Sequence, residues 1–170
     1  AVKSNETIQN LMNEDIPVPD LENAVKIKLN GSSAEISGSG ASVSDGVVTV
    51  TEAGTYVVSG KLSNGRVIVD APKSNVTLVL DGADINCKYG SPLYIYKSAL
   101  TTVYLNENTE NTLSDGSSYT FKDSYSSSEN EEPNACLYSK SDLIIAGKGK
   151  LTVSAAYNNG ITGKDTLKII

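Results

Sequence analysis

From residue 24 onward, apolar and polar residues alternate. The runs AVKIKLN, VVTVTEAGTYVVSGKL and GRVIVDA each carry like side chains at every second position. Period two marks a half-buried strand, because successive side chains leave an extended backbone on opposite faces. Each run stops at a turn pair: Asn30-Gly31, Asp45-Gly46, Ala53-Gly54 or Asn64-Gly65. Residues 1–23 contain Pro17 and Pro19 and show no sustained period, so they read as a linker or as a segment draped over the domain. The pattern predicts an all-β chain with almost no helix and one domain over 24–170 that opens with a strand-rich cap.

From Arg66 the chain can be laid over itself. RVIVDAPKSNVTLVLDGADI, SPLYIYKSALTTVYLNENTENTL, NACLYSKSDLIIAGKGKLTV and NGITGKDTLKII share one pattern. Val67 aligns with Leu93, Leu137 and Ile161, in steps of 26, 44 and 24 residues. The long step contains the insertion YTFKDSYSSSENEEPN, which has no apolar period. A step in the mid-twenties, built of short strands and Asn/Gly turns, is the size of one rung of a parallel β-helix, a solenoid. Alternation within a rung points Val67, Leu93, Leu137 and Ile161 inward and Ile68, Tyr94, Tyr138 and Thr162 outward. Asp70, Tyr96, Lys140 and Lys164 form the next outward column. Columns of this kind stack at about 4.8 Å, so Tyr94 and Tyr138 are expected side by side on one flat face.

Composition narrows the chemistry. Ser, Thr, Asn and Gly (22, 13, 15 and 14 of 170 residues) supply most of the polarity, while charged residues make up only 20%. His is absent, which removes every His-based triad and every His-bearing zinc site. A net charge of -6 and a pI near 4.6 argue against nucleic acid as a partner. No apolar run reaches the roughly 18 to 20 residues of a membrane helix. Partners should be neutral, cationic or bridged by a cation. Cys87 and Cys136 form no metal-ligand pattern and read as two unrelated small residues or as one bridge. With neither an initiator Met nor a signal sequence, the chain reads as mature or trimmed, its export signal removed.

The phrases AGTYVVSGKL, VIVDAP, LVLDGADI, ENTLSDGSSY, EEPNACLYSKSDLIIAGKGKLTV and NNGITGKDTLKI resemble those of bacterial exported carbohydrate-binding domain-containing proteins. The resemblance covers about Ala24 to the last residue. It implies a right-handed parallel β-helix similar to pectate lyases, a calcium ion, and binding of acidic plant polysaccharide and cellulose by a secreted or surface-attached protein. The family domain continues through further rungs, whereas this chain stops mid-rung at Ile170. It therefore reads as a truncated domain whose open rung invites end-to-end self-association.

Candidate sites follow from these columns. Tyr94, Tyr96 and Tyr138 are candidates for sugar stacking, since a tyrosine ring offers an apolar face to a pyranose and a hydroxyl to its polar groups. The alternative is that they pack beneath the insertion. Lys140 and Lys164 in the outward column are candidates for sugar carboxylates. The insertion holds Asp115, Asp123, Glu129, Glu131, Glu132 and Asn134. It reads as a solvated acidic loop or as a source of the six to eight oxygens that Ca²⁺ takes. Asp115, Glu132, Asn134 and Asn158 flank the excursion and are the candidate ligands for the calcium that the resemblance implies.

The expected activity is binding without catalysis. Polyuronate lyases resembling this fold abstract a proton with a basic residue, commonly Arg, and Arg66 is the one arginine here, in an outward position. Asp142 and Asp165 lie one position out of register, which does not provide the facing pair of carboxylates that glycoside hydrolysis requires. A uronate lyase and a purely structural surface module stand as the alternatives.

Overall fold

The computed structural model describes residues 16–170, so the first fifteen positions of the expected linker lie outside the described residues. Every regular element among the described residues is a strand. In chain order these are β1 (Val25–Gly31), β2 (Ala34–Ser37), β3 (Ala41–Ser44), β4 (Val47–Val50), β5 (Gly54–Leu62), β6 (Arg66–Asp70) and β7 (Asn75–Cys87). They continue with β8 (Leu93–Lys97), β9 (Leu100–Leu105), β10 (Glu110–Asp115), β11 (Ala135–Ser139), β12 (Asp142–Gly147), β13 (Lys150–Ser154), β14 (Asn159–Gly163) and β15 (Leu167–Ile169). No helix among them is long and apolar enough to cross a membrane.

The strands form two sheets. One runs β15-β12-β9-β7-β5-β1-β2, with β10 and β13 branching from β7, and the other runs β14-β11-β8-β6-β4-β3. From β4 onward the chain passes back and forth between the sheets, staying in the first for β9–β10 and for β12–β13, and each return lays its strand parallel to an earlier one. Two antiparallel pairs, β1 with β2 and β3 with β4, make both sheets mixed and form the strand-rich start. The register follows the sequence alignment in two columns. Val67, Leu93, Leu137 and Ile161 oppose one another, as do Ile68, Tyr94, Tyr138 and Thr162. The third column is corrected at its first member: an irregularity after Val69 sets Asp70 opposite Lys97 instead of Tyr96.

Aliphatic ladders fill the space between the sheets. Tyr56, Leu78, Val103 and Ile145 oppose one another along one sheet, and Val48, Val67, Leu93 and Leu137 along the other, all nearly or wholly buried. Each fully buried aliphatic side chain contributes about 1.5–3 kcal/mol. Outside the first sheet lies a second apolar patch of Val57, Val79, Leu100, Tyr104, Ile144 and Ala146, covered by Ile16, Leu21 and Ala24 of the entry segment.

Corners between strands are fixed by one amide and by two close approaches. Asn111 is buried; its Oδ1 accepts from the Gly82 and Ala83 amides, and its Nδ2 donates to Thr109 Oγ1 and the Lys150 carbonyl. Gly60 and Gly147 have φ of +86° and +100°, and a Cβ on either would lie 2.2 and 2.3 Å from the Leu29 and Leu105 carbonyl oxygens. Neighbouring coils approach there too closely for any side chain. Residues 116–134, the insertion, leave β10 and cross the outer face of the second sheet before β11. Cys87 and Cys136 are buried free thiols, and burial pushes Cys136 up to about 12, with Asp115 and Cys87 adding to it.

Candidate functional site

The insertion determines which outward side chains reach solvent. Tyr125 on the loop packs with Ile68, Tyr94, Ala135 and Tyr138. Tyr94 is 0% and Tyr138 2% exposed, so the expected stacking face is corrected: neither ring has a free side for a sugar. The Tyr94 hydroxyl donates to the Tyr125 carbonyl at 2.9 Å, and the Tyr138 hydroxyl donates to Glu132 Oε2 at 2.9 Å. Burial, together with the Glu132 charge on both and its hydrogen bond to Tyr138, raises both phenols above the ordinary range. Arg66 keeps its outward position but is covered by the loop and is 1% exposed. Its Nη1 meets Asp123 Oδ2 of the loop at 2.6 Å, and its guanidinium carbon lies 5.5 Å from the Tyr94 ring centroid.

Tyr96, one strand position beyond the covered patch, remains part-exposed. It lines a cleft of about 310 Å³ together with Pro72, Lys73, Lys97, Ser98, Lys140 and Ser141. Lys97 and Lys140 hold their Nζ atoms 5.3 and 5.0 Å from the Tyr96 ring centroid, and Tyr125 braces that ring edge-on at 4.8 Å. The lining offers three ammonium groups, two hydroxyls and an aromatic ring, and no carboxylate. In a protein of net charge -6, this is a local inversion of sign. A larger groove, of about 540 Å³, lies beside the entry segment and mixes Glu22 and Asp81 with Lys26 and Lys28, without an aromatic ring.

Three turns that join strands of the two sheets build this cleft. Lys-Ser occurs at 73–74, 97–98 and 140–141, and Lys-Asp at 164–165. Adjacent turns are tied together: the Ala71 amide donates to the Lys97 carbonyl, the Ser98 amide to Ser141 Oγ, and the Lys164 amide to the Ser139 carbonyl. Sequence reasoning assigned Lys140 and Lys164 as sugar ligands but missed Pro72, Ser98 and Ser141. The recurring Lys-Ser pair at equivalent corners was the available signal.

Of the four expected calcium ligands, Asp115 and Glu132 already have partners. Asp115 Oδ2 accepts from the Tyr119 hydroxyl and its Oδ1 from the Ala156 amide, both at 2.6 Å, which ties it to the turn before β14. Glu132 faces Lys164 at hydrogen-bonding distance and Lys140 at 3.8 Å. Burial alone would raise its carboxyl, but the hydrogen bonds from Lys164 and Tyr138 and the charges of Lys140 and Lys164 outweigh it and hold the group below 4.5. A carboxylate already neutralised by two ammonium groups does not fit a Ca²⁺ ligand. Asn134 keeps a buried Oδ1 with no hydrogen-bond partner among the described residues, and Asn158 is exposed. Among the described residues no three Asp, Glu or Cys side chains converge on a metal position.

Comparison with known proteins places this geometry in a family. A carbohydrate-binding domain-containing protein of Acetivibrio thermocellus is 39% identical over 131 residues, which are 76% of this chain and 44% of its own length. A solved structure of the polysaccharide lyase-like protein from C. thermocellum, a gadolinium derivative, superposes with a TM-score of 0.80 at 35% identity, covering 86% of this chain and 58% of that one. The chain thus spans about half the length of these relatives. The family model for carbohydrate-binding domain-containing proteins matches residues 44–170, and the chain belongs to that family.

Proposed function

We propose that the chain is a non-catalytic module that binds acidic plant cell-wall polysaccharide, polygalacturonate foremost, along the lysine-bearing corners around Tyr96. The observation that carries this reading is the cleft itself: one ring flanked by Lys97 and Lys140, with Lys73, Ser98 and Ser141 alongside and no carboxylate in its wall. A tyrosine face takes the apolar side of a pyranose, hydroxyls take its polar groups, and ammonium groups take uronate carboxylates. We read the parallel returns as rungs of a right-handed parallel β-helix. Successive corners then lie about 4.8 Å apart, a spacing on the scale of one sugar residue, so a linear polyanion can meet one lysine after another. The neutral glucan cellulose is the second expected ligand, bound more weakly for want of carboxylates. The module works outside the cell, at its surface or secreted.

One observation bears on the lyase alternative, because a relative is described as polysaccharide lyase-like. Arg66 is buried and ion-paired to Asp123, so it is not placed to abstract a proton from a polymer at the surface.

The test is affinity electrophoresis through gels containing polygalacturonate or soluble neutral cellulose derivative, with and without EGTA, and with added salt. Retention by polygalacturonate that weakens with salt and persists in EGTA is expected, since lysines and not a bridging cation hold the carboxylates. Migration unchanged by polygalacturonate would overturn the reading. A rise in ultraviolet absorbance from unsaturated product would establish the lyase instead.

A further inference from the structure

The lysines of this corner fall into two groups. Among the described residues Lys73 and Lys97 make no ion pair, whereas Lys140 and Lys164 share the Glu132 carboxylate. Lys140 faces two ways at once. Its Nζ lies 3.8 Å from Glu132 Oε1 and 5.0 Å from the centre of the Tyr96 ring in the cleft. Glu132 comes from the insertion and its side chain is 11% exposed. The Tyr138 hydroxyl fixes its other oxygen, so the carboxylate is held in place and not merely drawn to the nearest cation. Chemically it is the same group that a uronate would bring to these lysines.

We propose that Glu132 is a specificity-determining residue of the cleft, an internal carboxylate that holds Lys140 and Lys164 in the absence of glycan and with which every glycan carboxylate competes. The inference rests on the cleft being the polysaccharide site. Competition of this kind sets a threshold. A ligand with one carboxylate gains little by displacing Glu132, whereas a chain of closely spaced carboxylates engages Lys73 and Lys97 and then recruits the shared pair.

The experiment compares wild type, Glu132→Gln and Glu107→Gln on polygalacturonate and on a neutral glucan. Glutamine keeps an oxygen that can accept from Tyr138, and Glu107 removes an equal charge on a different, exposed turn. Glu132→Gln is expected to bind polygalacturonate roughly three- to tenfold more tightly, the range for releasing two part-exposed ion pairs. Glu107→Gln is expected to change affinity much less, and neither variant should alter binding to neutral glucan. Unchanged or weakened binding by Glu132→Gln, or an equal gain in Glu107→Gln, overturns the inference. A second readout uses the wild type alone. The Glu132 carboxyl ¹³C resonance is expected to shift as oligogalacturonate saturates the protein, and a resonance that stays fixed at saturation overturns the inference. Absence of any wild-type retention overturns the site as well, whereas wild-type retention without a Glu132 effect overturns only the competition.

Discussion

Four hydrogen bonds converge on the Asn111 side chain, which is 1% exposed. Asn111→Ala would leave the Gly82 and Ala83 amides facing a void. We expect a loss of about 2–4 kcal/mol in urea unfolding, since each orphaned buried donor costs about 1–3 kcal/mol. Glu132 links stability to acidity. Its folded-state carboxyl lies below the ordinary 4.5, so its contribution is complete above about that pH and is lost as the pH falls through the lower folded value. The melting temperature of wild type is therefore expected to fall more steeply below pH 4.5 than that of Glu132→Gln. Parallel curves for the two proteins would contradict this linkage.

The insertion has the largest effect of any single element on what the surface presents. Its contacts are Tyr125 against Tyr94 and Tyr96, Asp123 on Arg66, and Glu132 on the lysines. Asp123→Ala leaves a buried guanidinium without its counter-charge and is expected to cost roughly 1–3 kcal/mol, moderated by the exposure of Asp123. Cleavage within 116–134 by a nonspecific protease should quicken at the same time. The paired change Arg66→Met with Asp123→Asn should cost less than Asp123→Ala, because it removes the buried charge together with its partner. Strand alternation and the repeat step made the parallel ladders legible in the sequence, down to Val67 opposite Leu93. The path of the insertion was not legible, because a run without apolar period carries no face assignment. Tyr94, Tyr138 and Arg66 do lie on the outer face, but sequence left open whether the insertion would cover them, and it does. The bulge after Val69 was hidden for the same reason, since a one-residue irregularity leaves the alternation on either side intact.

Across the whole molecule, an acidic chain gathers lysines at the turns that join its two sheets. Lys73, Lys97, Lys140 and Lys164 recur at the turns after parallel-paired strands, with Asp165 next in sequence to Lys164 and Glu132 against Lys140 and Lys164. Neither composition nor net charge points to this row; the Lys-Ser pairs, read together with the register, carry it. Isothermal titration of oligogalacturonate into wild type and Tyr96→Ala at low salt tests the Tyr96 cleft most directly. Saturable binding by wild type and about a five- to thirtyfold loss in Tyr96→Ala are expected, the loss of a stacking ring worth roughly 1–2 kcal/mol. Equal affinities for the two proteins would place the polysaccharide elsewhere and contradict this site.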